Sequence, residues 1–144
     1  MKYTFLTDQF YSDYPNSRYP QIESKKNRPY AHIIVNTYEK LFCIPLRSNI
    51  THPHAYFTNK KTRSGIDYSK AVIIEDMNYI DNDTKVFLRQ DEFNKLRGKE
   101  HIIQKQFRNY IELYKKAKSD LTIPYRNEIL KFSTLQYFED KIIK

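Results

Sequence analysis

From Asp91 onward the apolar residues of this chain keep a helical period, and before it they do not. Ile103, Phe107, Tyr110, Ile111 and Tyr114 follow one another at spacings of four, three, one and three, which lines one face of a helix. Ile129, Phe132, Leu135, Phe138 and Ile142 recur every three or four positions and predict a second amphipathic helix. Gly98 is expected to break or kink the first helix near its start, and Pro124 to close the loop between the two. The first half instead carries short runs of β-branched and aromatic residues. Residues 2–6, 30–35, 40–44, 55–58 and 70–74 read as strands, the last as a central one because it is almost wholly apolar. Residues 84–88 read as a further strand, residues 36–39 as a hairpin turn, 11–28 as a long proline-punctuated loop and 59–65 as a basic loop. Strands first and helices later predict an α+β fold, and residues 1–144 fit a single domain.

Composition narrows what such a fold does. With two glycines there is no glycine-rich phosphate cradle, which argues against P-loop enzymes, kinases and dinucleotide-dependent oxidoreductases. The single cysteine, Cys43, sits in an apolar run and is expected to be a small core residue; one cysteine makes no internal disulfide. No apolar stretch approaches the ~20 residues that span a bilayer, and the first residues lack a signal peptide's apolar segment, so a cytoplasmic protein without a membrane partner is expected. Lys and Arg exceed Asp and Glu by 25 to 17, a net charge of +8, which favours polyanionic partners. Thirteen tyrosines and nine phenylalanines supply rings able to stack on bases.

The chemically dense stretch is Pro45-Leu46-Arg47-Ser48-Asn49-Ile50-Thr51-His52-Pro53-His54, which leaves an apolar strand and presents a guanidinium, a hydroxyl, an amide and two imidazoles. As a metal site it is poor, because His52 and His54 have only Asp67 as a nearby acid. A serine-hydrolase triad on Ser48 lacks the flanking glycines of a nucleophile elbow. A capped turn, with Ser48 and Asn49 satisfying local backbone groups, is the purely structural alternative. RNA cleavage asks for less, since the ribose 2′-hydroxyl is itself the nucleophile and the protein supplies a base, an acid and cations. His52 or His54 suits the proton work, Arg47 and Lys70 suit the phosphate, and Ser48 and Asn49 suit positioning. That chemistry requires no cofactor. Two basic clusters border the stretch: Lys25, Lys26 and Arg28 on one side, Lys60, Lys61 and Arg63 on the other. With Tyr30, Tyr56, His54 and Asp67 they form the candidate RNA-binding set.

Three blocks carry a resemblance to a known family. Arg28-Pro29-Tyr30-Ala31, then residues 45–52, then Gly65-Ile66-Asp67-Tyr68-Ser69-Lys70-Ala71-Val72-Ile73 resemble the toxins of type III toxin–antitoxin systems, the ToxN, AbiQ, TenpN and CptN groups, and most nearly the TenpN or CptN branch. The resemblance implies a strongly twisted antiparallel sheet, a partial barrel similar to the Kid and MazF toxins, with C-terminal helices. It implies a bacterial endoribonuclease that cuts cellular or phage RNA to 2′,3′-cyclic phosphate ends without a metal. It also implies inhibition by a repeated pseudoknot RNA antitoxin within a cyclic protein–RNA hetero-oligomer. Ser48 occupies the position of the family's active-site serine. Arg47 and Ile50 stand where ToxN has a threonine and a lysine, so Arg47, Lys70 or His52 would take over the role of that lysine, and Tyr30 stands where ToxN has a basic residue. A non-catalytic RNA-binding protein, or a regulator, using the same basic and aromatic surface is the alternative.

Overall fold

The computed structural model describes residues 1–24 and 29–143. Among them the apolar, β-rich runs form β1 (Tyr3–Leu6), β2 (His32–Thr37), β3 (Lys40–Arg47), β4 (Ala55–Asn59), β5 (Ser64–Asp67), β6 (Val72–Ile74) and β7 (Ile80–Asp81). All pair antiparallel, in the order β4-β5-β3-β2-β1-β7, with β6 on β3. The sheet is open, and α+β is the observed class.

β3 is the pivot. One edge pairs with β2 along its length, from Thr37 opposite Lys40 to His32 opposite Pro45. The other edge is divided: Leu41 to Cys43 face β6, while Leu46 and Arg47 face β5. Pro45 sits at the changeover. The Leu46 amide points toward β2, donating to the Ala31 carbonyl at 2.8 Å. By strand alternation the amide that Pro45 lacks would point to the opposite edge, where neither partner needs it. The β2–β3 hairpin is tighter than its sequence predicts, turning on Tyr38 and Glu39 with φ of 54° and 58°. Two left-handed residues match the twist of paired strands, although glycine usually supplies them. The Tyr38 hydroxyl holds this turn by donating to Glu112.

β5 replaces the end of the predicted basic loop. Its Gly65 lies between Arg47 of β3 and Phe57 of β4, so close that a Cβ there would meet the Tyr56 carbonyl oxygen at 2.0 Å. The predicted loop at 11–28 begins instead with α1 (Asp8–Asp13), capped by the Thr7 hydroxyl and anchored by the buried Phe10, whose ring stacks on Tyr14 at 4.9 Å. Residues 84–88 form no strand: Asp81 accepts from the amides of Asp83 and Thr84, turning the chain off the sheet, and Phe87 is 82% exposed. β6 is shorter than predicted and pairs only with β3, so it is not central; residues 68–70 form a 3-10 turn instead.

Four α-helices and a 3-10 turn follow among the described residues. α2 (Gln90–Leu96) stops at Gly98, whose φ of 74° is a glycine-favoured helix end, and α3 (Glu100–Ser119) starts two residues on. The predicted stripe on α3 is buried throughout, Phe107 meeting Phe42 edge-on at 4.9 Å. The second predicted helix is interrupted, as α4 (Arg126–Phe132), a 3-10 turn at Thr134–Tyr137 and α5 (Glu139–Ile142). Ser133 and Thr134 cause the break by hydrogen-bonding inward: Ser133 Oγ accepts from Tyr110, and Thr134 donates to the Ser69 and Ala71 carbonyls. The rotation this imposes leaves Phe132 51% exposed while its stripe partners stay buried. Cys43 is buried, and burial pushes its thiol up to about 12, which keeps it a protonated core residue. No described helix is long and apolar enough to cross a membrane.

Candidate active site

The end of β3 delivers Arg47 to a carboxylate at the end of β5. Asp67 is fully buried, and its Oδ2 accepts from Arg47 Nη1 at 2.6 Å. Its Oδ1 accepts from the Ser69 amide at 3.0 Å and the Ser69 hydroxyl at 2.6 Å, and lies 3.0 Å from His52 Nε2. Burial alone would raise the Asp67 pKa, but the side-chain hydrogen bonds of His52, Ser69 and Arg47 outweigh it and hold the carboxyl below its ordinary value. Burial likewise works against the Arg47 charge, and Asp67 together with Glu23 more than restores it. Asp67, expected among the RNA-contacting residues, is instead the buried anchor that RNA cannot reach.

His52 is bound on both sides of its ring. Nδ1 accepts from the His54 amide at 3.0 Å, so the neutral ring carries its proton on Nε2, which faces Asp67 and Ser69. Ser69, His52 and Asp67 lie together without forming a hydrolase triad. A relay needs the acid on one ring nitrogen and the hydroxyl on the other. Here both crowd Nε2, and Ser69 is buried. His52 is thereby a brace for residues 50–54. Arg63 braces the same loop: its Nε donates to the Ile50 carbonyl at 2.8 Å, its Nη2 to the His52 carbonyl at 3.0 Å, and its guanidinium lies 4.4 Å from the Phe57 ring.

What remains available lies around this frame. Ser48 and Asn49 are exposed at the turn after β3, Asn49 in the left-handed region with φ of 57°. Lys70 lines a small cavity with Glu23, Tyr30, His32 and Arg47. Its ammonium donates to the Phe132 carbonyl at 3.2 Å, and burial is the main cause of a lowered pKa, with Glu23 and Asp67 opposing. Arg47 Nη2 reaches Glu23 at 2.5 Å, and the guanidinium lies 5.9 Å from the Tyr30 ring. His54 stacks between His52 and Tyr110, at 5.6 and 5.4 Å, and its pKa is lowered by burial and then by the neighbouring His52. Neither His54 ring nitrogen is hydrogen-bonded among the described residues.

Of the candidate RNA-binding residues, Tyr56, Lys60 and Lys61 line a separate groove completed by Lys95 and Lys99. Lys25, Lys26 and Arg28 lie outside the described residues. Sequence reasoning missed Glu23, Ser69 and His32. Glu23 is the lone acid between Asp13 and Glu39, in a stretch with four cations, and that isolation was its one available signal. His32 is buried with Nδ1 2.9 Å from the Tyr30 carbonyl, and burial pulls its pKa down to about 4. Among the described residues no three His, Cys, Asp or Glu side chains converge to hold a metal ion. Comparison with known proteins returned no matching family model, curated protein or solved structure.

Proposed function

We propose that this chain is a metal-independent endoribonuclease toxin of a type III toxin–antitoxin system, restrained by a repeated pseudoknot RNA. One observation carries the reading: the three blocks behind the family resemblance, distant in sequence, meet at one place. Tyr30 comes from the first, Arg47 and His52 from the second, and Asp67, Ser69 and Lys70 from the third. The open antiparallel sheet is compatible with the partial barrel of Kid and MazF.

In this reading the ribose 2′-hydroxyl attacks the adjacent phosphorus and expels the 5′-oxygen, leaving a 2′,3′-cyclic phosphate. Ser48, exposed on the turn that follows Arg47, donates to a non-bridging oxygen. Arg47 and Lys70 offset the charge that builds on the phosphorane. Lys70 suits the leaving oxygen too, because a desolvated ammonium gives up its proton more readily. The groove of Tyr56, Lys60, Lys61, Lys95 and Lys99 has the cations and ring that a single-stranded backbone follows.

A non-catalytic RNA-binding protein is the second reading, favoured by the commitment of His52 and Arg47 to partners within the protein. Incubating the purified protein with end-labelled RNA in excess EDTA separates the two. Cleavage to cyclic phosphate ends is expected, and Ser48→Ala should slow it by ~10² or more. Because Ser48 is exposed, the variant's stability should stay within ~0.5 kcal/mol of the parent's. Binding without any cleavage by the parent would establish the second reading instead.

A further inference from the structure

The proposed reaction needs a group to take the 2′-hydroxyl proton, and most of the residues that sequence puts forward are occupied. His52 is hydrogen-bonded at both ring nitrogens, and Asp67 is buried with both oxygens engaged. His54 has no hydrogen bond to its ring nitrogens among the described residues, but it does not line the cavity that holds Arg47 and Lys70. Glu23 is different. Its Oε2 accepts from Arg47 Nη2 at 2.5 Å and from the Tyr30 hydroxyl at 3.4 Å, while its Oε1 has no hydrogen bond among the described residues. Its side chain is 40% exposed, against none for Asp67, the other carboxylate on the same guanidinium. One carboxylate therefore fixes Arg47 from within, and the second is fixed by Arg47 through one oxygen, with no hydrogen bond to the other among the described residues. A base needs that combination: a set orientation, an open lone pair, and cations nearby to receive the phosphate.

We infer that Glu23 is the general base of the cleavage reaction, a role that rests on the ribonuclease reading above. Glu23 Oε1 takes the proton from the 2′-hydroxyl as the 2′-oxygen bonds to phosphorus. The P–O5′ bond breaks, and O5′ leaves with a proton from the Lys70 ammonium. Exchange with water then returns a proton to Lys70 and removes one from Glu23, so no oxidant, reductant or co-substrate is consumed. The groups facing the carboxylate are Arg47 on β3, Tyr30 ahead of β2, Lys70 on the 3-10 turn, and His32 in the same cavity wall, with Asp67 behind Arg47. His32 is uncharged at neutral pH and adds no field there.

The experiment compares parent, Glu23→Gln and Glu23→Asp in single-turnover cleavage across pH. Binding of a 2′-O-methyl oligonucleotide that cannot be cut is measured alongside. Glu23→Gln should lower the rate by ~10²–10⁴ and abolish the acid limb of the pH–rate profile. Its affinity for the uncleavable oligonucleotide should be unchanged or tighter, since the variant frees Arg47 of one counter-charge. Glu23→Asp, which keeps the carboxylate and moves it back, should retain part of the rate and the limb. Cleavage by Glu23→Gln within ~3-fold of the parent would overturn the inference, as would a loss of rate matched by an equal loss of binding. A parent that binds RNA and cuts none would overturn the ribonuclease reading itself, a result distinct from either.

Discussion

Removing the Asp67 carboxylate tests the frame on which the site is built. Asp67 is fully buried and is the shared acceptor for Arg47 Nη1, the Ser69 amide and hydroxyl, and His52 Nε2. Asp67→Ala strands a guanidinium whose side chain is only 17% exposed, leaving Glu23 as its carboxylate partner. Breaking one side of a buried ion pair costs about 3–5 kcal/mol. Total stability for a domain is about 5–15 kcal/mol, so roughly a fifth or more of it should be lost. In urea, with a slope of about 1–3 kcal/mol/M, the unfolding midpoint should fall by roughly 2 M. Arg47→Met combined with Asp67→Ala should recover part of that loss, because the charge left behind is then gone, and a coupling of about 1–3 kcal/mol is expected from the double-mutant cycle. The pH dependence has a defined sign. The folded-state pKa of Asp67 is depressed, so its contribution is complete above the unfolded value near 3.9 and disappears as pH falls through the folded value. The parent should therefore lose stability below about pH 4 more steeply than the double variant. An Asp67→Ala protein within ~1 kcal/mol of the parent, or a double variant no more stable than the single, would refute the reasoning.

His32 should produce a second acid transition in a higher window. Its folded pKa of about 4, against an ordinary 6.5, means that stability is complete above 6.5 and falls as pH drops toward 4, by about 3 kcal/mol in all; His32→Asn should flatten that slope in urea titrations at stepped pH, and an unchanged slope would count against it. Gly65→Ala should destabilise by on the order of 3 kcal/mol, because its Cβ would meet backbone atoms of Tyr56 and Phe57 that cannot move aside; equal urea midpoints would contradict that. Lys60→Glu with Lys61→Glu should weaken RNA binding and reduce the slope of log affinity against log salt by about 0.7 per lost phosphate contact, read by fluorescence anisotropy; an unchanged slope would move the RNA path off the groove.

What the sequence reveals depends on how far each feature reaches along the chain. The α3 stripe is readable because burial by a single helix repeats a local period, and all five predicted positions are buried. β5 is unreadable for the opposite reason. Ser64–Asp67 has no strand pattern of its own, and its four residues are extended because they pair with the end of β3 that β6 leaves open and with β4. Phe132 fits the helical period yet faces solvent, since the period assumes a continuous helix and the inward hydrogen bonds of Ser133 and Thr134 stop it. At the site, residue types were legible and their duties were not. Arg47 and His52 look like phosphate and proton groups until Asp67 is seen to hold both. Asp67 with Ser69 reads locally as a turn cap, which it also is. The pairs His52–Ser69, Arg47–Asp67 and Arg47–Glu23 are separated by 17, 20 and 24 residues, so no short window contains both members of any of them. The same separations link fold and function. Glu23 is oriented by Arg47, Arg47 by Asp67, and Asp67 is in place only when β5 has paired with both β3 and β4. A chain in which β5 has not docked has every residue of the site and none of its geometry, so destabilising Gly65 should impair cleavage before it unfolds the helices, since α3 packs chiefly on α4 and β2.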